Sequence, residues 1–266
     1  MLVATWNVNS VKARNDRLLA FLDRTRPDVL ALQELKTVDD GFPFEAVAER
    51  GYAAAVYGQK TYNGVAILSL HPLEAVVRGF DDRDDEDPHA RLVSATVSPA
   101  DSLPLTVVSA YFPNGATVGS DKWAYKTAWM ARLERMLAAR HRPDERLILT
   151  GDFNVAPTDA DAKNPDRWDG SVLTHDDVRD ALTRLRAWGF ADAFRAVVPE
   201  DAAAPGPFSW WDYRNLGFPK NDGLRIDHVY ATAALRPVEA WVDRDERRTG
   251  ATPPSDHAPV LVRFAG

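Results

Sequence analysis

Short runs of Val, Ile and Leu bounded by Gly, Pro, Asn or Asp recur along the chain, and such runs are typical of buried β-strands. Elsewhere the apolar residues fall at helical spacing, as with Leu18 and Leu22, and predict helices with one buried face. The predicted helices are Asp16–Arg24, Asp121–Arg140 and Asp176–Trp188. The predicted strands are Leu2–Trp6, Val29–Gln33, Ala53–Tyr57, Val65–Leu70, Arg91–Val97, Leu105–Tyr111, Leu147–Thr150, Ile226–Tyr230 and Pro259–Arg263.

This mixture of strands and helices predicts one α/β domain. No stretch rich in Pro, Gly or Ser divides the chain, so a single domain over residues 1–266 is favoured. The segments fit two sheets packed face to face with helices outside, a layered sandwich. A weak internal repeat of the form aromatic-Asn-Val follows two of the strands, as Trp6-Asn7-Val8 and Phe153-Asn154-Val155. If the chain has two similar halves, this repeat would bring Asn7 and Asn154 to one edge.

Composition limits the class of protein. The chain has 266 residues, 45% of them hydrophobic, which permits a sizeable core. It has no cysteine, which excludes disulfides, Cys-ligated zinc and a thiol nucleophile. No apolar run approaches the ~18 residues of a membrane span, and the first residues resemble a strand, not a cleavable leader. We therefore expect a soluble cytoplasmic protein without membrane contact.

The net charge of −7 is concentrated in one short segment. Residues 81–87 carry six acids and one base, which accounts for −5 and leaves −2 for the rest of the chain. Because salt screens charges beyond about 8–10 Å, the local surface matters more than the total. The acidic segment is most simply a solvated loop, and the remaining charge does not exclude contact with nucleic acid.

Several carboxylates stand at the ends of predicted strands. Glu34 and Asp152 follow apolar strands, and Asp227 interrupts one. Asp256 lies beside His257 in the run Pro253-Pro-Ser-Asp-His-Ala-Pro259. Each alone is more often a turn or cap group. Four such carboxylates with Asn, Gln or His nearby predict an oxygen-rich site for Mg²⁺, with Mn²⁺ as a plausible substitute.

This set of side chains suits metal-assisted hydrolysis of a phosphate ester. Asp152 could orient or deprotonate a water, and Asn7 and Asn154 could donate hydrogen bonds to phosphoryl oxygens. His257, paired with a nearby carboxylate, could bind a non-bridging oxygen, and a metal on Glu34 would neutralise the phosphate or the leaving oxygen. The alternative for the Ser-Asp-His run is a turn with a satisfied histidine.

Seven ordered motifs resemble those of the exonuclease III family of apurinic/apyrimidinic endonucleases, part of the endonuclease/exonuclease/phosphatase superfamily. The resemblance covers essentially the whole chain and implies a four-layered α/β/β/α sandwich with two mixed sheets. The motifs are Thr5-Trp-Asn-Val-Asn9, Leu32-Gln-Glu34, Tyr111-Phe-Pro-Asn114, Gly151-Asp-Phe-Asn-Val-Ala-Pro-Thr158, Phe208-Ser-Trp-Trp-Asp-Tyr-Arg214, Gly223-Leu-Arg-Ile-Asp227 and Ser255-Asp-His-Ala-Pro259.

The resemblance also implies roles for individual residues. Glu34 would be the principal metal ligand, and Asp152 would position the nucleophile. Tyr111 would present a phenol to the phosphate or leaving group. Asp227 and His257 would form a coupled pair, and Asn9 and Asn114 would contact DNA. The residues implied around the metal are Asn7, Asp256, Asp152, Asn154 and His257. Spacing alone leaves open whether Asp227 or Asp256 pairs with the histidine.

A small apolar pocket would select the substrate. Trp210, Leu224 and Ile226 could accept an extruded sugar that has lost its base, since such a nucleotide costs less to unstack. The alternative for Trp210 is a plain core aromatic, which is the interpretation we adopt for Trp211.

Cationic residues in other loops could track the DNA backbone. Lys60 and Lys126 match family positions near the DNA strands, although an isolated lysine is ordinarily solvated surface. Arg225 could instead form a structural ion pair. One departure from the family is Leu35, where relatives commonly carry a small hydroxyl residue.

Together these features predict a Mg²⁺-dependent DNA-repair hydrolase. It would cut duplex DNA 5′ to abasic sites, clean 3′ ends and remove nucleotides in the 3′→5′ direction. It would act as a monomer, associated with the nucleoid through DNA. A lipid or inositol phosphate phosphodiesterase on the same scaffold is the alternative, and a catalytically silent DNA-binding module is a third hypothesis.

Overall fold

The computed structural model describes residues 1–82, 87–201, 204 and 206–266. Within these ranges the chain forms twelve strands and six α-helices. The strands are β1 (Leu2–Asn7), β2 (Val29–Gln33), β3 (Ala53–Tyr57), β4 (Val65–Ser69), β5 (Leu73–Arg78), β6 (Leu92–Val97), β7 (Leu105–Tyr111), β8 (Leu147–Asp152), β9 (Phe190–Asp192), β10 (Asp227–Thr232), β11 (Pro237–Val242) and β12 (Val260–Phe264). The helices are α1 (Asn15–Thr25), α2 (Phe44–Ala48), α3 (Asp121–Arg140), α4 (Pro165–Trp168), α5 (Asp176–Trp188) and α6 (Gly217–Lys220).

The strands form two six-stranded mixed sheets. The first has the order β11-β12-β1-β2-β4-β3, and the second has the order β5-β6-β7-β8-β10-β9. In each sheet one central pair is parallel, β1 with β2 and β7 with β8, and a helix connects the two strands of that pair. The remaining neighbours are antiparallel.

Three apolar cores hold four layers together. Between the sheets, Val3 and Ile67 of the first sheet pack with Val107 and Val229 of the second. Outside the first sheet, α1 buries Leu18, Phe21 and Leu22 with Trp6 and Leu32. Outside the second sheet, α3 and α5 bury their apolar faces on β7, β8 and β10. The predicted α/β/β/α sandwich is confirmed.

The two sheets repeat one strand order, but the repeated tripeptide in the sequence does not pair the equivalent strands. Both parallel pairs are followed across the sheet by two antiparallel strands, β4 and β3 after β2 and β10 and β9 after β8. The structural repeat therefore matches β1 with β7 and β2 with β8. The Trp6-Asn7-Val8 and Phe153-Asn154-Val155 repeat instead matched β1 with β8 and was wrong as a register. Its consequence holds, because Asn7 and Asn154 both contact Asp152.

The ends of the acidic segment are attached to α3. Arg132 and Arg140 of that helix pair with Asp82 and Asp81, and the Tyr125 hydroxyl donates to the Asp87 carboxylate at 2.9 Å. Residues 83–86, the centre of the predicted solvated loop, lie outside the described residues. None of the helices described combines the length and the apolar character that crossing a bilayer would require.

Candidate active site

The chemically capable side chains meet where the parallel strand pairs end. Asn7 closes β1, Glu34 follows β2, Tyr111 closes β7 and Asp152 closes β8. Carboxyl ends of parallel strands form the edge at which α/β sheets bind ligands. Because the sheets face each other, all four groups lie at one mouth between them.

Asp152 is held by two asparagines. Its Oδ2 accepts from Asn7 Nδ2 at 2.9 Å and from Asn154 Nδ2 at 3.3 Å, and its Oδ1 accepts from the Asn154 backbone N–H at 2.9 Å. Asn154 has a φ of +51°, a left-handed conformation that asparagine tolerates better than most residues. The preceding Gly151 has a φ of +146°, and a Cβ there would lie 1.8 Å from the Ala110 carbonyl oxygen. Only glycine allows β7 and β8 to approach at this point.

His257 pairs with Asp227, as the resemblance implied. Its Nδ1 lies 2.8 Å from Asp227 Oδ2, and its Nε2 lies 3.8 Å from Asp152 Oδ2. Asp227 begins β10, directly opposite Asp152 in the antiparallel register, which places both carboxylates beside the ring. Ser209, which sequence reasoning missed, accepts the Asp227 backbone N–H at 3.1 Å and secures this end of the strand.

Glu34 lies among three donors. Its Oε1 accepts from Asn7 Nδ2 at 3.0 Å and from the Tyr111 hydroxyl at 2.8 Å, while its Oε2 pairs with Lys36 Nζ at 2.8 Å. Glu34 has a φ of +53°, so the chain turns sharply as it leaves β2. Lys36 was not foreseen, because its position two residues beyond Glu34 gave no signal. Leu35, the departure from the family pattern, faces the outer core and is fully buried.

The environment separates the proton affinities of these groups. Burial, assisted by the Asp227 charge, raises the pKa of Asp152 despite the opposing charge of His257. Burial alone would lower the pKa of His257, but Asp227 and Asp152 outweigh it and raise that pKa well above its ordinary value. Burial and the Glu34 charge raise the pKa of Tyr111, which therefore remains a phenol. A basic carboxylate thus faces an imidazolium.

Asp256 lies apart from the histidine pair. Its Oδ1 accepts from Asn9 Nδ2 at 2.9 Å, and its Oδ2 accepts from Trp210 Nε1 at 3.1 Å. Asn9 Oδ1 in turn accepts from Lys36 Nζ at 2.6 Å. Asp256 therefore connects the wall of the pocket to the Glu34 group, and the choice between Asp227 and Asp256 is settled in favour of Asp227.

A cavity of about 750 Å³ opens onto this cluster. Glu34, Asp152 and His257 line it, and Trp210 and Ile226 contribute the apolar wall that was expected. Trp168 is an addition that sequence reasoning missed, and its ring meets Trp210 edge-on at 5.9 Å. Trp211 is fully buried in a separate core cluster, as predicted.

The assignment of Leu224 to the pocket wall was wrong. Leu224 is fully buried and does not line the cavity. Its backbone pairs with that of Trp210, whose side chain does line the cavity. Leu224 therefore supports the tryptophan instead of contacting a ligand. Alternation along the chain could not reveal this, because the segment before β10 pairs irregularly.

The two predicted cationic contacts differ. Lys60 is exposed on the loop between β3 and β4, so its contact with DNA stays a prediction. Lys126 is fully buried, and its Nζ donates to the carbonyl oxygens of Asn114, Asn154 and Val172. Direct contact between Lys126 and a DNA strand was therefore wrong. Arg225 is buried in an ion pair with Asp161 at 2.8 Å, the structural alternative that had been left open.

The residues present fit a divalent cation. Oxygens of Asp152 and Asp227 lie within 4.8 Å of each other, and His257, as an imidazolium, stands beside them as a hydrogen-bond donor and not as a ligand. Asp227 Oδ1 is buried without a hydrogen-bond partner among the described residues. Glu34 joins the cluster through Asn7, which donates to both Glu34 and Asp152. An oxygen-rich donor set of this kind suits a hard cation.

Comparison with known proteins gives the relationship. Residues 4–257 match the model of the endonuclease/exonuclease/phosphatase family. The chain belongs to this family. Within the endonuclease/exonuclease/phosphatase family, it is 35% identical over 273 residues to exodeoxyribonuclease III of Haemophilus influenzae, covering 99% of this chain and 100% of that protein. The resemblance to exonuclease III is therefore confirmed.

Two solved structures match the fold of this chain over their full lengths. The 3′ phosphatase NExo from Neisseria, bound to a product DNA hairpin, is 37% identical with a TM-score of 0.89. An AP endonuclease from Archaeoglobus fulgidus is 32% identical with a TM-score of 0.91. Both alignments cover 100% of each chain.

Proposed function

We propose that this protein is a Mg²⁺-dependent DNA-repair hydrolase. It cuts the backbone of duplex DNA 5′ to abasic sites, cleans blocked 3′ ends and removes nucleotides in the 3′→5′ direction. The observation that carries the proposal is that Asp152 and His257 line one cavity 3.8 Å apart, with Asp227 paired to the far side of the histidine ring. The names of the relatives, an exodeoxyribonuclease III, a 3′ phosphatase and an AP endonuclease, support DNA as the substrate.

The chemistry begins at Asp152. Its raised pKa makes it a better base than an ordinary aspartate, so it can take a proton from a water aimed at the phosphorus. The Asn7 and Asn154 amides fix the carboxylate, so the water meets a base of one orientation. His257, held as an imidazolium, stabilises charge on a non-bridging oxygen. The Tyr111 phenol, which donates its single O–H to Glu34 in this structure, can turn that hydrogen bond to the phosphate or leaving group.

Mg²⁺ supplies a positive charge beside the phosphate and the leaving 3′-oxygen when it is bound. We propose Glu34 as its principal holder. The proposed neighbours are Asn7, Asp152, Asn154, Asp256 and His257. In this structure the Asn7 side chain donates through Nδ2 to the carboxylates of Glu34 and Asp152. The Oδ1 of the same side chain accepts the Asn9 N–H at 3.0 Å.

The apolar wall supports an abasic substrate. Trp210, Trp168 and Ile226 offer a surface beside the catalytic group that a baseless sugar can contact after extrusion. Asn114, Asn9 and Lys60 are proposed contacts to the flanking strand. The aromatic wall and the names of the relatives both argue against a lipid or inositol phosphate substrate.

The test is incision of duplex DNA that holds one tetrahydrofuran abasic analogue. We expect one cut 5′ to the analogue in Mg²⁺, none in EDTA, and recovery when Mg²⁺ or Mn²⁺ is restored. The matched duplex without the analogue should be shortened only from its 3′ ends. Cutting that ignores EDTA would refute the metal dependence, and turnover of a phosphoinositide without incision would favour the alternative substrate.

Assembly and location belong to the same proposal. One chain supplies every proposed catalytic group, so we propose a monomer, which light scattering after size exclusion would check. The cytoplasmic, nucleoid-associated location also stays a prediction, and fractionation with chromosomal DNA would test it.

A further inference from the structure

Lys126 is the only fully buried lysine among the described residues. It lies on the inner face of α3, where its Nζ donates to the carbonyl oxygens of Asn114 at 3.2 Å, Asn154 at 2.8 Å and Val172 at 2.6 Å. These carbonyls belong to three different segments, after β7, after β8 and before α5. An ammonium has three N–H donors and the neutral amine has two, so the three acceptors use every donor of the charged form.

Each of the three segments also reaches the candidate active site. The Asn114 side chain donates to Asn154 Oδ1 at 3.1 Å, and the Asn154 side chain donates to Asp152. Val172 lines the cavity. One buried amino group thus holds the backbones of two residues whose side chains touch each other beside the catalytic carboxylate.

The loop after β7 is pressed against the stem of the same lysine. A Cβ at Gly115 would lie 3.0 Å from Lys126 Cδ, and Gly115 has a φ of +94°. A side chain at position 115 would therefore crowd the lysine stem, and glycine keeps the loop close to that stem.

We propose that Lys126 is a positioning residue that sets the spacing of Asn114 and Asn154 from behind the site without touching DNA. The inference rests on the proposed hydrolase function. It differs from a simple stabilising role, because losing the three hydrogen bonds of Nζ would displace two amides relative to Asp152. A displacement of about 1 Å at a reacting centre can cost on the order of 100-fold in rate.

The absence of cysteine in the chain permits a specific test. Lys126→Cys is alkylated in denaturant with 2-bromoethylamine, which rebuilds a lysine analogue with a sulfur in its stem, and is then refolded. Alkylation of the same variant with iodoacetamide gives a neutral side chain of similar length. Wild-type protein taken through the same treatment reports separately whether the proposed function holds.

We expect the neutral form to lose about 100-fold in kcat on the abasic duplex, with KM changed by less than about threefold. The aminoethylated form should recover most of the loss. Met136→Ala, which opens a cavity at the other end of α3, should lower Tm and leave kcat unchanged. Lys126→Met, prepared without refolding, gives the same comparison of kcat with KM.

Three results would overturn the proposal. Equal kcat in the neutral and aminoethylated forms would mean that only the volume of the side chain matters. A higher KM at constant kcat would indicate direct contact with DNA. A kcat loss in Met136→Ala as large as that in the neutral form would reduce Lys126 to general support of the fold.

Discussion

Asp152 and His257 show how one buried cluster can hold a base and a cation together. Both are almost completely buried, yet their pKa values are raised for different reasons. Burial disfavours the charged form of the aspartate, whereas two carboxylates favour the charged form of the histidine. The proton therefore resides on His257, and Asp152 keeps the basicity that activation of water requires.

Substitution of Asp152 or of His257 tests this division of roles. Asp152→Asn and His257→Ala should each lower kcat for abasic incision by at least about 100-fold, because each removes a proton acceptor or a charge at the phosphate. Single-turnover incision at saturating enzyme measures the effect, and circular dichroism confirms the fold. The exposed Asp144→Asn, far from the cavity, is the control. Turnover near wild type in either variant would contradict the assignment.

Trp210 has two functions that mutation can separate. Its ring lines the cavity, and its Nε1 donates to Asp256. Trp210→Ala removes both, whereas Trp210→Phe keeps a ring and removes only the donor. We expect the alanine variant to lose more kcat/KM on the abasic duplex than on removal of 3′-terminal nucleotides. The phenylalanine variant should affect both reactions by a similar, smaller factor.

Initial rates on the two DNA substrates, measured side by side, check this prediction. If Trp210→Ala lowers both reactions equally, the ring does not select the abasic sugar. If Trp210→Phe is as damaging as Trp210→Ala, the bond to Asp256 dominates and the wall of the pocket is secondary.

At the level of elements, the sequence predicted the interior better than the edges. The helices at 121–140 and 176–188 have the predicted bounds, and most strands differ by one or two residues. Three strands were missed, β5, β9 and β11. Each lies at an edge of its sheet. The strand β5 is largely exposed, β11 is exposed or half-buried, and β9 has only three residues. Such strands lack the buried alternation on which prediction depends.

The candidate site was predictable in its membership but not in its pairings. Carboxylates and amides at strand ends are visible in the sequence because they end or interrupt apolar runs, so Glu34, Asp152 and Asn154 could be identified. The partner of His257 depends on the register of β10 against β8, which no local pattern contains. The predictions for Lys126 and Leu224 were wrong for a related reason, because position in a motif does not tell which side of a helix or of an irregular segment faces the cavity.

A charged network beneath the first residues of β10 supports the site. Arg225 is buried, and it donates to Asp161 and Asp192, each at 2.8 Å. Its Nη1 lies 3.0 Å from His228 Nδ1, while His228 Nε2 lies 2.8 Å from the Val155 carbonyl oxygen. Because arginine can only donate, Nδ1 accepts and Nε2 carries the proton. The neutral ring thus joins β10 to the segment after Asn154.

This network predicts a pH dependence of stability. Burial and the Arg225 charge lower the pKa of His228 from 6.5 to about 4. Below pH 6.5 the unfolded chain binds a proton there that the folded chain does not. The free energy of unfolding should therefore fall as pH drops from about 6.5 to 4, by on the order of 3 kcal/mol from this group.

Urea unfolding followed by tryptophan fluorescence between pH 7 and 4 measures this slope. His228→Gln is the matched variant, since its amide can accept from Arg225 and donate to Val155 without titrating. The difference between wild type and variant isolates the histidine from the acids that titrate in both. Parallel curves for the two proteins would contradict a buried neutral ring.

At the scale of the molecule, the site belongs to neither sheet alone. Asn7 and Glu34 come from the first sheet, and Asp152 and Asp227 come from the second. The shared core between the sheets sets the distance between these pairs. The unfolded chain has no such site, because Asn7 and Asp227 are far apart in sequence. Binding of a cation should therefore be coupled to folding of the whole domain.

The coupling between cation binding and folding can be measured as a change in stability. Mg²⁺ at ten times its Kd should raise the free energy of unfolding by about 1.4 kcal/mol, which corresponds to a rise in Tm of roughly 3–6 °C. Glu34→Gln removes a carboxylate of the proposed site and should abolish most of this rise. The glutamine side-chain oxygen can still accept the hydrogen bond from Asn7 Nδ2. Sodium chloride at equal ionic strength controls for screening. An equal rise in wild type and Glu34→Gln would place the cation elsewhere, because a site that includes Glu34 cannot bind it equally well without that charge.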